Sequence, residues 1–284
     1  METLNPQTNA SSNPYQLFQN TQLQQVSDRE KRSILSGCET ANKVLVINLP
    51  QLGDFDSLEY VWWLQRERDK LEALEIVVRV VGIGNLAAGK RFCFYTGFPE
   101  ENLFVTPDAT LHQSLGLYAG LSWNISGLSL RVNAWINLLL MCAGIGSPGT
   151  LKEVLRGYIG DRAAPQLIAE EEIVKAPPLP PLRGSSFNIA GGKGFQRPLE
   201  LATLRLRNMV EVLSHWKTYV SDASYLTQRG GTFLFDENRE LVYEWRDRAI
   251  LGFAENMSDP LSFLNPFQKS SAPPLPVTND DQSD

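Results

Sequence analysis

The sequence predicts an α/β fold in which parallel strands come first and an antiparallel hairpin comes last. Two short apolar runs, residues 43–48 and 75–82, are each followed by a stretch in which apolar side chains recur at helical spacing. Near the end, residues 230–235 and 240–245 form two further runs around a turn at 236–238, as in a hairpin. Together these patterns predict a βαβα beginning and a closing β-hairpin.

The first strand is predicted at residues 43–48, where the apolar run KVLVIN ends before a proline and a glycine. Asp56 or Ser57 can cap the helix that follows, because short polar side chains bind the free amides of a helix start. We expect this helix to continue through the apolar residues at 58–64 and to end near residue 74.

The second strand is predicted at residues 75–82, a β-branched run that ends in glycines, and a helix through Phe92 follows it. Residues 104–105 predict another short strand, and residues 110–115 predict a brief helix before a glycine. Strands and helices therefore alternate along this half of the chain.

Composition divides the chain into a folded body and two polar ends. Residues 1–30 are rich in Asn, Gln, Ser and Thr, and residues 268–284 in Ser, Pro and Asp. Such segments bury too little apolar surface to offset the entropy lost on ordering, so both are predicted to be disordered. The body, residues 31–267, contains a predicted insertion at about 117–227 that combines helices, loops and a proline-rich link.

An apolar stretch inside the insertion, residues 134–143, has two interpretations. It is too short to span a bilayer and contains Asn137, so a helix in the protein core explains it. The alternative is that the insertion contacts a membrane surface or a protein partner. The core helix is the favoured interpretation.

Charge and cysteine content exclude several classes of protein. The net charge of -6 is spread without long basic runs, which argues against a nucleic-acid ligand. The three cysteines (Cys38, Cys93, Cys142) and two histidines (His112, His215) lie far apart, which predicts neither a zinc site nor a disulfide framework. We expect no bound metal and no cofactor. The start of the sequence has no secretory pattern, so a cytoplasmic location is expected.

A glycine-rich segment, GNLAAGK at residues 84–90, follows a strand and opens a helix as a phosphate-binding loop would. Arg91 stands where a Ser or Thr should ligate magnesium, and no downstream strand ends in a suitable aspartate. A structural turn with glycines at tight backbone positions is therefore predicted, with nucleotide binding as the alternative.

Residues 50–60, PQLGDFDSLEY, resemble the strand-to-helix junction of the peroxiredoxin-like (AhpC/TSA) family. That family carries Pro-x-x-x-Thr-x-x-Cys there, and the helix N-terminus lowers the pKa of the cysteine. Pro50 matches the proline, Asp54 falls on the threonine, and Ser57 falls on the cysteine. In the branch with CxxC followed by Lys-Glu-Tyr, Asp54 and Ser57 replace both cysteines and residues 59–60 match Glu-Tyr.

Other short motifs agree with this family in the same order along the chain. They are FCFYTG at 92–97, VTPDA at 105–109 with LG at 115–116, QRGGTFLF at 228–235 and WRDR at 245–248. Gly231 falls where thioredoxin keeps a cis-proline. The resemblance covers about residues 40–120 and 226–265, and it implies a thioredoxin-like fold with a long helical and loop insertion.

The resemblance also names candidate site residues: Ser57, Asp54 and Arg246, with Cys93 as a further thiol. A serine cannot form a sulfenic acid, so Ser57 cannot run the cysteine cycle, and a role at the helix start is favoured. Arg246 matches an anion-steadying arginine of the family, whereas strand alternation favours a solvated position paired with Glu244. The aromatic neighbours of Cys93 favour a buried, unreactive thiol.

Two functions follow as hypotheses. The first is an antioxidant or oxidoreductase-type protein by descent that lacks conventional cysteine-based peroxidase activity. The second is a non-catalytic binding or scaffold module that uses the insertion to contact a protein partner. On position alone, we also expect Ser57→Cys to create a thiol that reacts faster than Cys93 or Cys142, because a helix N-terminus stabilises a thiolate.

Overall fold

The protein is described by a computed structural model that covers residues 13–268. Its strands are β1 (Gln22–Gln25), β2 (Lys31–Ser33), β3 (Lys43–Gln51), β4 (Ile76–Ile83), β5 (Leu103–Thr106), β6 (Ile173–Val174), β7 (Leu182–Arg183), β8 (Gly231–Phe235) and β9 (Leu241–Arg246). Its α-helices are α1 (Pro14–Asn20), α2 (Phe55–Arg66), α3 (Arg68–Ala73), α4 (Leu86–Thr96), α5 (Thr110–Ser114), α6 (Leu130–Cys142), α7 (Thr150–Ile159), α8 (Glu200–Ser214) and α9 (Trp216–Tyr219).

Seven strands form the central sheet in the order β2-β1-β5-β4-β3-β8-β9. The three inner strands β3, β4 and β5 run parallel, as expected for strands joined by helices. The hairpin β8–β9 adds antiparallel to β3, with Val44 opposite Phe235. This mixed α/β sheet confirms the predicted thioredoxin-like fold.

Both faces of the sheet are buried because the side chains of β3 alternate between two apolar clusters. Leu45 and Ile47 belong to the larger cluster, which α2, α4 and α8 complete. Val44 and Val46 face the smaller cluster, which includes Phe18 of α1. The sheet is therefore covered by helices on both sides, and the end of β3 leads directly into α2.

The predicted disorder of residues 1–30 is wrong from residue 13 onward. Phe18 of α1 packs edge-to-face against Phe233 and Phe235, and β1 pairs antiparallel with β5. A few apolar residues in a polar segment are enough here, because the sheet offers them an open face and edge. Residues 1–12 and 269–284, also predicted to be disordered, lie outside the described residues.

The predicted insertion, residues 117–227, contains α6 to α9, and part of it belongs to the main core. Leu201, Leu204 and Val212 of α8 are buried in the larger cluster. Ser129 caps α6, whose thirteen residues cover all but the last residue of the apolar stretch that the sequence places at 134–143. Among residues 13–268, no helix is long and apolar enough to cross a membrane.

The glycine-rich segment 84–90 is a turn between β4 and α4, and close packing accounts for Gly89. Asn85 caps α4 by accepting a hydrogen bond of 2.9 Å from the amide of Ala88. A Cβ atom on Gly89 would lie 2.6 Å from Cγ2 of Val26 and 3.1 Å from Cγ1 of Val105. The glycine therefore lets α4 approach the sheet closely, which supports the structural interpretation.

We expect Gly89→Ala to lower the free energy of unfolding by about 1–3 kcal/mol, because the methyl group overpacks this contact. We also expect ATP with magnesium to leave the Tm of the wild type and of Lys90→Ala unchanged. Thermal unfolding without ATP measures the loss in Gly89→Ala, and unfolding of the wild type and of Lys90→Ala with ATP and magnesium measures the second effect. A saturable ATP-dependent rise in Tm that Lys90→Ala removes would contradict the structural interpretation.

Candidate functional site

The first turn of α2 holds the residues that match the family's active-site motif. Asp54, rather than the predicted Asp56 or Ser57, is the N-cap, and its Oδ1 accepts from the amide of Asp56 at 2.9 Å. The helix consequently begins at Phe55, earlier than predicted, and ends at Arg66, with the short α3 continuing the chain to residue 73. The correction arises because Asp54 alone has the extended backbone of a cap.

The hydroxyl of Ser57 is buried in the protein interior. The residue is 0% exposed, and its Oγ donates a hydrogen bond of 2.9 Å to the backbone carbonyl of Gln51. The hydroxyl of Ser57 therefore stabilises the turn between β3 and α2. It is not presented to solvent.

Residues 219–229, at the end of the insertion, cover this helix start. Gly53 permits the contact, since a Cβ there would lie 2.7 Å from Cβ of Tyr219. The side-chain amide of Gln51 also donates to the backbone carbonyl of Asp222. The start of α2 is thus closed off from solvent by the chain itself.

Arg229, immediately before β8, is the charged partner of the α2 N-terminus. Its guanidinium is 0% exposed and pairs with Asp54 through Nη2 and with Asp56 through Nη1, the latter at 3.2 Å. Nε also donates to the carbonyl of Thr227 at 3.2 Å. Sequence reasoning missed this residue, although it lies in the quoted QRGG motif. An arginine directly before a buried strand was the available signal.

Three carboxyl groups lie around this one guanidinium, of which Asp56 and Asp247 are buried and Asp54 is 12% exposed. We call Asp54, Asp56, Asp247 and Arg229 the carboxylate cluster. Burial, then the charge of Asp54, raises the pKa of Asp56 well above its ordinary value, although both its oxygens accept from the amide of Leu251 at 2.8–2.9 Å. Burial likewise raises the pKa of Asp247 to about 7. Its Oδ2 accepts from the amide of Gly230 at 3.2 Å. Asp247 can therefore hold a proton near neutral pH.

Arg246 lies on β9 and binds groups other than the α2 N-terminus. Its Nη2 is 2.5 Å from Oε1 of Glu244, and its Nη1 donates to the carbonyl of Leu115. Its side chain is 40% exposed, in keeping with the solvated position that strand alternation favours. The structure therefore brings together Ser57 and Asp54, whereas the arginine beside them is Arg229.

The cysteines differ in accessibility. Cys93 is buried in α4, and burial raises the pKa of its thiol to about 12. Cys38 is also buried. Cys142, at the end of α6, is exposed, and its pKa is raised by partial burial of its sulfur and by the charges of Asp54 and Asp56. None of the three sulfurs has the lowered pKa that a reactive thiol needs.

Glu59 and Tyr60, the pair that carries part of the resemblance to the family, pack against other parts of the fold. Both oxygens of Glu59 accept from Arg205 of α8, at 2.7 and 2.9 Å. The hydroxyl of Tyr60 lies 2.8 Å from Oγ1 of Thr232, and its ring stacks on Phe253 at 4.7 Å between centroids. These contacts hold α2 between the insertion and β8.

The chemistry of this site is that of buried acids around a cation. The carboxylate of Asp54 already caps the positive end of α2. The helix dipole is therefore not available to stabilise a further anion, such as a thiolate. Within the described part of the chain, no group of three His, Cys, Asp or Glu side chains is arranged to hold a metal ion. The site can store a proton on Asp247, but Ser57 has neither an activating base in contact nor access to solvent.

Comparison with known proteins identifies the family. The profile of the AhpC/TSA antioxidant enzyme family matches residues 63–249, which is 187 of the 284 residues. The match begins within α2, after Ser57, and includes β4, β5, the insertion and the closing hairpin. No curated protein matches the chain. The match covers about two thirds of the sequence, and the chain therefore belongs to the AhpC/TSA antioxidant enzyme family.

Proposed function

We propose that this member of the AhpC/TSA family keeps the family's fold without cysteine-based peroxide reduction at the start of α2. The burial of Ser57, with its Oγ bonded to the carbonyl of Gln51, carries the proposal. The peroxidase cycle needs a thiolate that attacks the peroxide oxygen and becomes a sulfenic acid, and a serine hydroxyl cannot do this. Asp54 and Asp56 already occupy the N-terminus of α2 and the guanidinium of Arg229, so neither is free to stabilise a thiolate there.

Peroxide consumption with a dithiol reductant tests this proposal. We expect hydrogen peroxide and an organic hydroperoxide to be consumed at the rate of the reductant alone, because no thiol of the chain has a lowered pKa. Cys93→Ser and Cys142→Ser serve as controls and should leave that rate unchanged. Turnover well above background that either change abolishes would identify that cysteine as a nucleophile and overturn the proposal.

For Ser57→Cys we propose the opposite order of reactivity from the one expected from position alone. The new sulfur would replace a fully buried Oγ and would lie beside Asp54 and Asp56, whose charges raise a thiol pKa. We therefore expect a maleimide to label Cys142 first in this variant, with position 57 protected until unfolding. Peptide mapping by mass spectrometry measures the order. Faster labelling at position 57 would show that segment 219–229 opens readily.

A binding role for the insertion is a second candidate, because its helices expose apolar side chains. Leu130 of α6 is 80% exposed, and Leu151, Leu155 and Ile159 of α7 are more than half exposed. Exposed apolar groups in such number are typical of contact surfaces. This role predicts a ligand site within the segment, and a peroxide assay does not report on it.

A further inference from the structure

A cavity of about 600 Å³ lies between α7 and α8, next to the first turn of α2. Phe55 of that turn and Leu251, whose amide binds Asp56, are part of its wall. Its volume is in the range of sites for small organic molecules. The site described above is closed by segment 219–229, whereas this cavity approaches the same helix start from the side of the insertion.

The wall of the cavity is mainly hydrocarbon. Its two threonines donate their hydroxyl protons within the protein: Oγ1 of Thr150 donates to the carbonyl of Ile250 at 2.9 Å, and Oγ1 of Thr203 donates to that of Leu199 at 2.8 Å. A ligand there gains little from hydrogen bonds and much from burial. The apolar side chains of the wall include Val154, Leu179, Phe187, Leu206, Met209 and Ile250.

The charges at the cavity disfavour an anionic ligand. Arg205 is the cation of the wall, and it is already bound by two carboxylates, Glu59 at 2.7 Å and Glu153 at 2.6 Å. Glu153 is shared with Arg156, so its charge is balanced as well. Cys142 lies in the same wall. A carboxylate or phosphate entering here would find no unpaired cation, and it would lose solvation without a compensating charge.

The rim of the cavity is apolar as well as exposed. Tyr158 is 57% exposed, Leu199 51% and Leu179 42%, and each also contributes to the wall. An apolar ligand can therefore move from the surface into the cavity without crossing a charged barrier. Exposed leucines around a concave opening of this kind mark a binding site rather than a packing defect.

We propose that this cavity binds an uncharged, predominantly hydrocarbon ligand, of the class of long-chain alcohols and isoprenoids, and that Cys142 lies beside the bound molecule. The ligand is neutral because the only cation of the wall is paired, and it is apolar because the wall offers hydrocarbon. This site is separate from Ser57, so it stands whether or not the chain reduces peroxides.

Fluorescence titration tests the proposal directly. Phenylnaphthylamine, an uncharged apolar fluorophore, should bind saturably with one site per chain and brighten. Dodecanol should displace it at a concentration at least about tenfold lower than dodecanoate, which has the same chain length and a charge. Equal displacement by the two would contradict the charge argument and overturn the assignment of a neutral ligand.

A matched pair of variants on α7 tests whether phenylnaphthylamine binds in this cavity. Val154→Trp fills the cavity and should weaken phenylnaphthylamine binding by about tenfold or more. Leu155→Trp adds the same ring on the next residue, which is exposed and outside the wall, and should bind as the wild type does. Equal binding by both variants, with unchanged Tm, would show that the probe occupies another place.

The wild-type thiols provide a test that does not depend on a variant folding. Cys38 and Cys93 are buried, so maleimide labelling of the native protein reports on Cys142. Saturating dodecanol should slow this labelling severalfold, and dodecanoate at the same concentration should have little effect. Labelling that neither compound slows, or a Cys142 protected by self-association of the chain as seen by light scattering, would overturn the proposal.

Discussion

Arg229→Ala is expected to lower the free energy of unfolding by about 3–5 kcal/mol, the largest effect of any single change considered for this chain. Removing one partner from a buried ion pair leaves an uncompensated charge in a poorly solvated place. Here the guanidinium is 0% exposed and faces Asp54 and Asp56. Three carboxyl groups would then lie together without a cation. Urea denaturation, with the midpoint and the slope both fitted, measures the loss.

Arg246→Ala is the matched control, because Arg246 also pairs with a carboxylate but is 40% exposed. We expect a loss below about 1 kcal/mol, since exposed ion pairs are screened by solvent. Arg229→Lys should fall between the two alanine variants, because it keeps the charge and loses the planar fork that reaches both aspartates. Similar losses for Arg229→Ala and Arg246→Ala would mean that the carboxylate cluster does not depend on its cation.

Asp247→Asn is expected to stabilise the protein increasingly as the pH rises from about 4 to about 7. Asp247 has an ordinary pKa of 3.8 in the unfolded chain and a pKa raised by burial to about 7 in the folded protein. The folded state therefore binds its proton more tightly, and stability falls with rising pH across that window. Asparagine resembles the protonated side chain, and its oxygen can still accept from the amide of Gly230.

The size of this effect follows from the gap between the two pKa values. At 1.36 kcal/mol per pH unit, the gap sets an upper bound of about 4 kcal/mol, and relaxation around the charge reduces it, so we expect about 2–4 kcal/mol. Denaturation of both proteins at pH 4, 5.5, 7 and 8 gives the difference in stability at each pH. Asp69→Asn, on the exposed first turn of α3, should differ from the wild type by less than about 0.5 kcal/mol throughout.

A difference between Asp247→Asn and the wild type that stays constant with pH would contradict the raised pKa. The variant must be compared with the wild type at each pH, because other acids change the stability with pH in the opposite direction to Asp247. Hydrogen bonds and the charge of Arg91 lower the pKa of Glu211, although burial opposes them, so its contribution is lost as the pH falls through the acid range. Both proteins share that contribution, and it cancels.

The sequence by itself determined the inner strands of the sheet, its closing hairpin and the family. Apolar, β-branched runs at 43–48 and 75–82 are local patterns, and β3 and β4 form where they occur. The closing hairpin was predictable for the same reason, since two apolar runs around a short turn pair with each other. The prediction that Ser57 falls at the family's cysteine position rests on the spacing from Pro50, which is also a property of the sequence alone.

The tertiary structure decided what surrounds that position. Arg229 reaches Asp56 from 173 residues away, and no local pattern encodes such a contact. The burial of Ser57 depends on segment 219–229, and the order of α1 and β1 depends on the open face and edge of a sheet made by later strands. Accessibility and pKa are properties of the folded surroundings, set by residues distant in sequence. For that reason the sequence could name Asp54 and Ser57, while only the fold showed them closed in around Arg229.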